Sequence, residues 1–416
     1  MQRSNVSRKV SLGALGLLSV VASLAVAACG ASSAKSNTSV NVGTGGQLAA
    51  AGAGAGGQSA GGGNSGGQGG ADTPAPHMLR ACPTNKVGTV GVWEPSNPTD
   101  VAIPPPSGKY GASMIVVNPQ DTTIVFAAYD GNGIYKSTDC GATWKKAITG
   151  RNADVLSTGS SWTMVIDPVD PQTMYANNGY GSGEGVFKST NGGADWDQTI
   201  PSDSVVGKAA SYNFATRISM DPTNHRHLVV AFHSGCTGDY APNCLAETVD
   251  AGASWKPLKI SPSGAEASGI ALVDSKTWLY GGTGAGLYLT TDAGQTWSKV
   301  NDDGGYIYYR SKQGVYYIGA SSGVLSSMDL KTWTKNGSAP AITGLASDGE
   351  LIYGGLRYCQ APAPCYITSP ESDGTVWTDL KTAVMGQGGI AMAYDPDHHI
   401  LYSANETAGV WRVLLH

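Results

Sequence analysis

Charge is what this 416-residue chain has least of: Asp, Glu, Lys and Arg together make up 14% of it. Its 26 basic residues are outnumbered by 31 acidic ones, and no Lys/Arg cluster offsets the deficit. That removes the electrostatic footprint of a nucleic-acid-binding protein, so nucleic acid is not expected as a partner. After residue 30 no apolar run is long enough to cross a bilayer as a helix. No C-x-x-C pair exists, so a thiolate-held metal is not expected, and nothing in the sequence asks for a cofactor. Glycine, by contrast, is abundant at 58 residues.

The first residues read as a targeting segment rather than as fold. Arg3, Arg8 and Lys9 precede the apolar run "LGALGLLSVVASLAVAA", which ends at Cys29. Residues 1–28 therefore read as an export signal. Val26-Ala27-Ala28-Cys29 resembles the lipobox of bacterial lipoproteins. The resemblance implies a lipid on Cys29 and a place at the outer membrane or cell surface. Residues 29–77, mostly Gly, Ala, Ser and Gln, cannot bury enough surface to offset their ordering entropy and read as a tether. Six cysteines then remain, an even number in an exported chain. Cys236 and Cys244 lie close in sequence, as do Cys359 and Cys365, which leaves Cys82 and Cys140 as the third pair.

From residue 78 onward the chain repeats itself. "KSTDCGATW" (136–144) returns as "KSTNGGADW" (188–196), "ETVDAGASW" (247–255) and "LTTDAGQTW" (289–297). Weaker copies are "SSMDLKTW" (326–333), a tighter turn without the glycine, and "TSPESDGTVW" (368–377). A chemical site normally occurs once, whereas a turn needed by every structural unit occurs once per unit. A short apolar strand precedes each turn, and a seventh such strand, "GVWRVLL" (409–415), ends the series. Two further strands stand upstream of each. Four short strands per unit, at spacings of tens of residues, predict propeller blades. The fold expected is all-β, a seven-bladed propeller of four-stranded antiparallel blades over residues 78–416, monomeric. Its last blade lacks an outer strand, and "GTVGVWEPS" (88–96) is the segment expected to supply it and close the ring.

The Ser/Thr-x-Asp-x-Gly-x-Thr-Trp pattern resembles the Asp-box, or BNR, repeat, with Asp139, Asn191, Asp250, Asp292 and Asp329 at the acidic position. That resemblance covers about residues 87–413. It implies the fold of sialidases, xyloglucanases, sortilin-type receptors and photosystem II assembly factors, families that share the turn and not the chemistry.

Chemistry is therefore sought on the face opposite these turns, where the loops between second and third strands and between blades frame the channel mouth. Candidate catalytic carboxylates there are Asp130, Asp154, Glu184, Asp239, Asp302 and Glu406. Two-carboxylate glycoside hydrolysis needs a pair about 5 Å or about 6.5–9.5 Å apart. Xyloglucanases set two propellers face to face with one catalytic Asp on each, and this chain holds one propeller. Candidate ligand-binding residues are Trp162, Tyr180, Tyr212, Tyr240, Tyr306 and Tyr358, whose rings suit sugar faces. Arg217, Arg310 and Arg357 are candidates for an anion-binding triad of the sialidase kind, although the Phe/Tyr-Arg-Ile-Pro motif of that family is missing. His225, His227, His398 and His399 read as solvated turn residues on the opposite face. The first expectation is recognition of an extracellular glycan or surface protein. Glycoside hydrolysis is the alternative, and an assembly scaffold comes third.

Overall fold

A computed structural model describes residues 76–416 except 84–85, 212–213, 263–268, 283–284, 321, 337–340, 358, 360–363, 373 and 381–386. Of Tyr306 the backbone is described but not the side chain. The export signal, Cys29, the proposed tether up to residue 75, Tyr212 and Tyr358 lie outside the described residues.

Seven antiparallel four-stranded sheets make up the fold. Blade one runs Ala112–Val117, Val125–Tyr129, Gly133–Ser137 and Lys145–Lys146. Blades two to six follow in order over 164–198, 215–260, 269–301, 305–336 and 344–379. Blade seven takes Ala391–Asp395, Ile400–Ala404 and Val410–Leu414, with Glu94–Pro95 as its outermost strand. Glu94 sits opposite Arg412 and Pro95 opposite Trp411. The first strand of each blade neighbours that of the next, and that of blade seven neighbours that of blade one. The chain is a seven-bladed β-propeller.

Strand periodicity explains how the ring packs. Side chains on a strand alternate between its two faces, and here each face meets a different blade. In blade one Val125, Ala127 and Tyr129 pack with Ile390, Ile400 and Tyr402 of blade seven. The alternate residues Phe126 and Ala128 pack with Met164, Ile166 and Trp196 of blade two. Both faces are covered, so second strands such as Val125–Tyr129 and Tyr316–Ala320 are wholly buried and built of apolar and aromatic residues. A fully buried side chain such as Phe126 contributes about 1.5–3 kcal/mol.

The recurring turn is a hydrogen-bonded knot. Ser137 Oγ donates to Asp139 Oδ1 (2.8 Å) and accepts from the Gly141 N–H (2.8 Å). Asp139 then takes the N–H and the hydroxyl of Thr143 on its two oxygens, at 2.8 and 2.7 Å. The same bonds recur around Asp250 with Ser254 and around Asp292 with Thr296. Those hydroxyl and amide donors hold both carboxyls down to about 2. Asn191 keeps the acceptor role with its Oδ1 and adds a donor bond to Asp195. Around Asp329 the turn is one residue shorter, its carboxylate accepting from Lys331 and Thr332. In blade six Glu371 fills the acidic position but turns inward, accepting from Tyr309 and Ser347 hydroxyls.

Each knot also clamps its blade to the one before. Gly141 has φ +76°, and a Cβ there would stand 3.1 Å from the Tyr402 ring of blade seven. Tyr175 of blade two donates to the Ala251 carbonyl in the turn of blade three, and Tyr317 of blade five to the Glu371 carbonyl of blade six.

Three disulfides join Cys82 to Cys140, Cys236 to Cys244 and Cys359 to Cys365. The first lies at the seam between blades seven and one, beside Arg412, which bonds Glu94 and the carbonyls of Cys140 and Lys86.

None of the four histidines is the solvated turn residue expected. His225 is half-buried against Asp167 (3.3 Å) and His399 half-buried against the Tyr394 hydroxyl (2.9 Å). The other two depart further. His227 is buried, its ring bridging Asp221 and Glu247 at 3.0 Å each. Burial alone would lower its pKa, but the two carboxylates outweigh that and raise it to about 9. His398 is half-buried, held by Asp395 (2.7 Å) and the Arg80 carbonyl (2.6 Å). The alternation of the strand Asn224–Phe232, which turns His227 inward, accounts for the first. The N-terminal segment laid across blade seven accounts for the second.

Candidate functional site

The mouth face is uneven. In blade four the second strand ends at Gly282 and the third begins at Gly286; in blade five the corresponding residues are Ala320 and Gly323. Blade three spans Phe232 to Asn243 at the same place, and the connections into blades one, two and three are long. Long connections on a rigid ring are where side chains gather for function.

Among the described residues, five rings meet in that built-up sector. Tyr110 comes from the connection into blade one, Trp162 from that into blade two and Phe214 from that into blade three. Tyr180 comes from the loop of blade two and His233 from that of blade three. Trp162 and Phe214 stack at 5.1 Å, and Phe214 stacks on His233 at 4.7 Å. Tyr180 stands edge-on to Trp162 (5.3 Å) and Phe214 (4.8 Å), with Tyr110 nearly parallel to it at 6.3 Å. Trp162 and Phe214 are buried, whereas Tyr180 is 47% exposed. The result, among the described residues, is an aromatic base topped by the exposed ring of Tyr180, with Tyr110 half-buried beside it.

Local backbone chemistry fixes that ring. Tyr180 has φ +57°, a region that residues with a Cβ resist, and its N–H donates to Glu184 (3.2 Å). Its hydroxyl meets His233 Nε2 at 3.2 Å. Gly179 lets the two buried rings close in, since a Cβ there would lie 2.6 Å from Phe214 and 2.8 Å from Trp162. Ser160 and Gly179 exchange backbone bonds that tie the two loops together.

The candidate carboxylates separate by environment. Asp130 is buried and occupied, accepting from Ser160 Oγ (2.6 Å) and from the Tyr110 N–H (3.0 Å). Glu406 is buried and pairs with both nitrogens of the Arg357 fork. Burial pushes the Glu406 carboxyl up, and Arg357 partly offsets this. Asp154, in the helix Ala153–Leu156, and Asp239, in the turn Gly238–Tyr240, are exposed. Asp302 is exposed and pairs with Lys299 at 2.8 Å. Glu184 differs: it is half-buried beside the aromatic base, and burial raises its carboxyl above the usual range.

The three arginines do not form a triad. Arg357 is engaged by Glu406. Arg310 is the last residue of Gly305–Arg310, and that strand starts at the mouth, so Arg310 lies at the far face with its guanidinium 5.3 Å from the Tyr316 ring. Arg217 is buried in the first strand of blade three, and its charge is felt by Tyr308 of blade five. Tyr240 is half-buried against the cluster that holds Cys236 and Cys244.

The structure thus gathers Trp162, Tyr180 and Glu184 and adds Tyr110, Phe214 and His233, which the sequence reading passed over. Tyr110 and Phe214 share a signal with Trp162, since each lies within two residues of the start of a first strand, whereas His233 directly follows the second strand of blade three. Among the described residues, Cys82, Cys140, Asp395 and His398 bring four ligand-type atoms within 4.8 Å. Two of those atoms are the sulfurs of a disulfide, which leaves no thiolate for a metal.

The fold and this mouth define a propeller with an off-axis aromatic site. No protein-family model matches the chain. It is similar to a xyloglucanase of a Paenibacillus species, at 24% identity over 347 residues, covering 71% of this chain and 33% of that protein. The chain thus spans about a third of the length of that relative. A GH74 enzyme from Niastella koreensis superposes with a TM-score of 0.56 at 18% identity, over 75% of this chain and 53% of that one. YCF48 bound to a D1 peptide superposes with a TM-score of 0.53 at 12% identity, over 82% and 99%. These two structural likenesses establish the fold.

Proposed function

We propose that this chain is a glycoside-hydrolase-like, carbohydrate-active propeller that takes a β-linked polysaccharide of the xyloglucan class at its mouth. The observation that carries the reading is the five-ring base with half-exposed Tyr180, which offers a flat apolar face to a sugar ring. The xyloglucanase relative supports the substrate class, and this reverses the order of the two leading expectations from the sequence. Glu184 is the residue proposed to donate a proton to the leaving oxygen, because its raised carboxyl stays protonated further up the pH scale than an ordinary one. The test is one preparation assayed twice, for xyloglucan binding and for release of reducing ends. Tyr180→Ala is expected to weaken binding about tenfold, the scale of a lost aromatic contact at a binding site. Glu184→Gln is expected to abolish hydrolysis and keep binding. Absence of binding in the wild type would end this reading.

Recognition without cleavage is the second reading. It is favoured by the state of Asp130 and Glu406, both tied up in structural bonds rather than poised beside Glu184. Binding with no reducing ends released selects it. The knotted turns are proposed to be Asp boxes on the strength of their hydrogen bonds. Lipid attachment at Cys29 and a cell-surface location are proposed from the sequence around that cysteine. Cys29→Ser should then lose radiolabelled palmitate and leave the membrane fraction; retention of either property refutes the anchor.

A further inference from the structure

On the face of the aspartate turns the chain crosses the seam between blades seven and one, and two histidines fasten it there. His398 lies between the first two strands of blade seven. Its Nδ1 stands 2.7 Å from Asp395 Oδ2 and its Nε2 2.6 Å from the Arg80 carbonyl. His77 repeats the arrangement from the crossing segment, with Nε2 2.7 Å from Asp397 Oδ2 and Nδ1 3.2 Å from the Pro119 carbonyl. Between them the Met78 N–H donates to the Gln120 carbonyl (2.7 Å), and Arg80 pairs with Asp121 (3.1 Å). Cys82, bonded to Cys140, ends the segment. We propose that residues 76–81 form a strap held down by protons: it lies closed while the His398 and His77 rings are protonated and lifts, hinged at Cys82, once they are not.

The hydrogen bonds require those protons. All four ring nitrogens face a carbonyl or a carboxylate, and both kinds of oxygen accept. A neutral imidazole has one N–H and can satisfy one of its two sites, whereas the imidazolium has two and satisfies both. Thr122 fits the same assignment. Its hydroxyl donates to Asp397 Oδ2 (2.8 Å), so its oxygen, 3.3 Å from His398 Nδ1, can only accept there. Losing the proton turns a lone pair toward one acceptor in each set and removes a charge-assisted bond, the stronger kind.

The charges around His398 act in the same direction. Asp395 and Asp397 belong to its own turn, Asp121 comes from the turn of blade one and Arg80 from the strap, its guanidinium drawn to Asp121. The buried phenol of Tyr402, on the second strand of blade seven, stays neutral beside Asp395. Burial opposes the charge on His398, but Asp395, the Arg80 carbonyl and Asp397 outweigh it and raise the ring above the usual imidazole range. A folded value above the unfolded one means that the strap is fully held below about pH 6.5. It is released as pH climbs past the raised value. Release draws Arg80 from Asp121 and His77 from Asp397, so the seam then presents three carboxylates of two neighbouring turns without their cations.

The test has two arms on the full chain, and both read the wild type. In the first, imidazole ¹⁵N NMR, with the His398 signal assigned by His398→Gln, is expected to show protons on both ring nitrogens at pH 6. An unprotonated nitrogen on His398 at that pH overturns the proposal. In the second, hydrogen–deuterium exchange follows the Met78 amide, corrected for the intrinsic pH dependence of exchange. Its protection is expected to fall about tenfold from pH 6 to pH 10, the scale of one hydrogen bond to a charged group. The amides of Phe126 and Ala127 in blade one should change less. Paired His77→Gln and His398→Gln should give the low Met78 protection at both pH values. Wild-type protection that ignores pH overturns the proposal, and so does a fall that survives in the paired variant. An equal fall at Phe126 would mean that the blade opens rather than the strap, which overturns it as well.

Discussion

At the scale of single residues, partners decide what a titratable group does in this propeller. His227 and the mouth histidine are both buried, yet only the latter borders an accessible ring. His227 bridges Asp221 and Glu247 on the face of the aspartate turns, and Lys256 bonds the same glutamate at 2.8 Å. Its pKa, raised to about 9, stands above the value in an unfolded chain. The stabilisation it brings is therefore complete below about pH 6.5 and is lost as pH rises to about 9 and beyond. Thermal denaturation between pH 6 and pH 10 should show the melting temperature falling by several degrees across that window. His227→Gln should melt lower at pH 6 and show a flatter profile, at about 2–4 °C for each kcal/mol lost. A wild-type profile flat across the window would refute the charged bridge. Sequence pattern missed this residue because "DPTNHRH" reads as a polar turn. Only the register that lays Leu228 against Thr248 and Val229 against Glu247 shows that His227 continues the strand into the blade.

At the scale of elements, the strands were legible and the mouth loops were not. Turn chemistry is local: Ser or Thr, Asp, Gly and Trp at fixed offsets make the same knot wherever they occur, so the sequence could count blades. The mouth site is non-local. Trp162 and Tyr180 were visible as aromatics in long connections, but Tyr110 and His233 meet them only because the ring brings three connections and two loops together. The carboxylates show the same limit, since nothing local to Glu406 announces that Arg357 arrives from the neighbouring blade. Gly179 is where loop backbone and aromatic packing are most tightly coupled. Gly179→Ala would drive a methyl into the Phe214 and Trp162 rings. Overpacking of this kind costs about 1–3 kcal/mol, but its main effect should be to displace Tyr180. The expected result is a drop in melting temperature of a few degrees with a disproportionate loss of xyloglucan affinity. Near-ultraviolet circular dichroism of the tryptophans should change with it. Unchanged affinity would show that Tyr180 is not the contact.

At the scale of the whole molecule, the ring needs a joint, because one blade is assembled from both ends of the fold. Glu94–Pro95 adds only two paired residues to blade seven, too few to hold by ladder bonds alone. The surrounding groups supply the rest. Arg412 grips Glu94 and two carbonyls, Ser96 Oγ donates to the Gly141 carbonyl, and His77 and Arg80 reach Asp397 and Asp121. The Cys82–Cys140 bond then makes the joint covalent across 58 residues of chain. In the chain-entropy account a loop of that size is worth about 4 kcal/mol. The noncovalent contacts persist without it, so the replaced bond should not unfold the ring but should loosen its seam. Cys82→Ser paired with Cys140→Ser is expected to lower the melting temperature by several degrees and to make the chain near residues 76–93 the first to be cut in limited proteolysis. Xyloglucan affinity should stay within about twofold, because the aromatic mouth draws its rings from blades one to three on the opposite face and additivity holds for distant sites. Equal loss of stability and affinity would mean that the seam and the mouth move as one body. Unchanged melting and unchanged proteolysis would mean that Arg412 and the N-terminal contacts hold the ring without the disulfide.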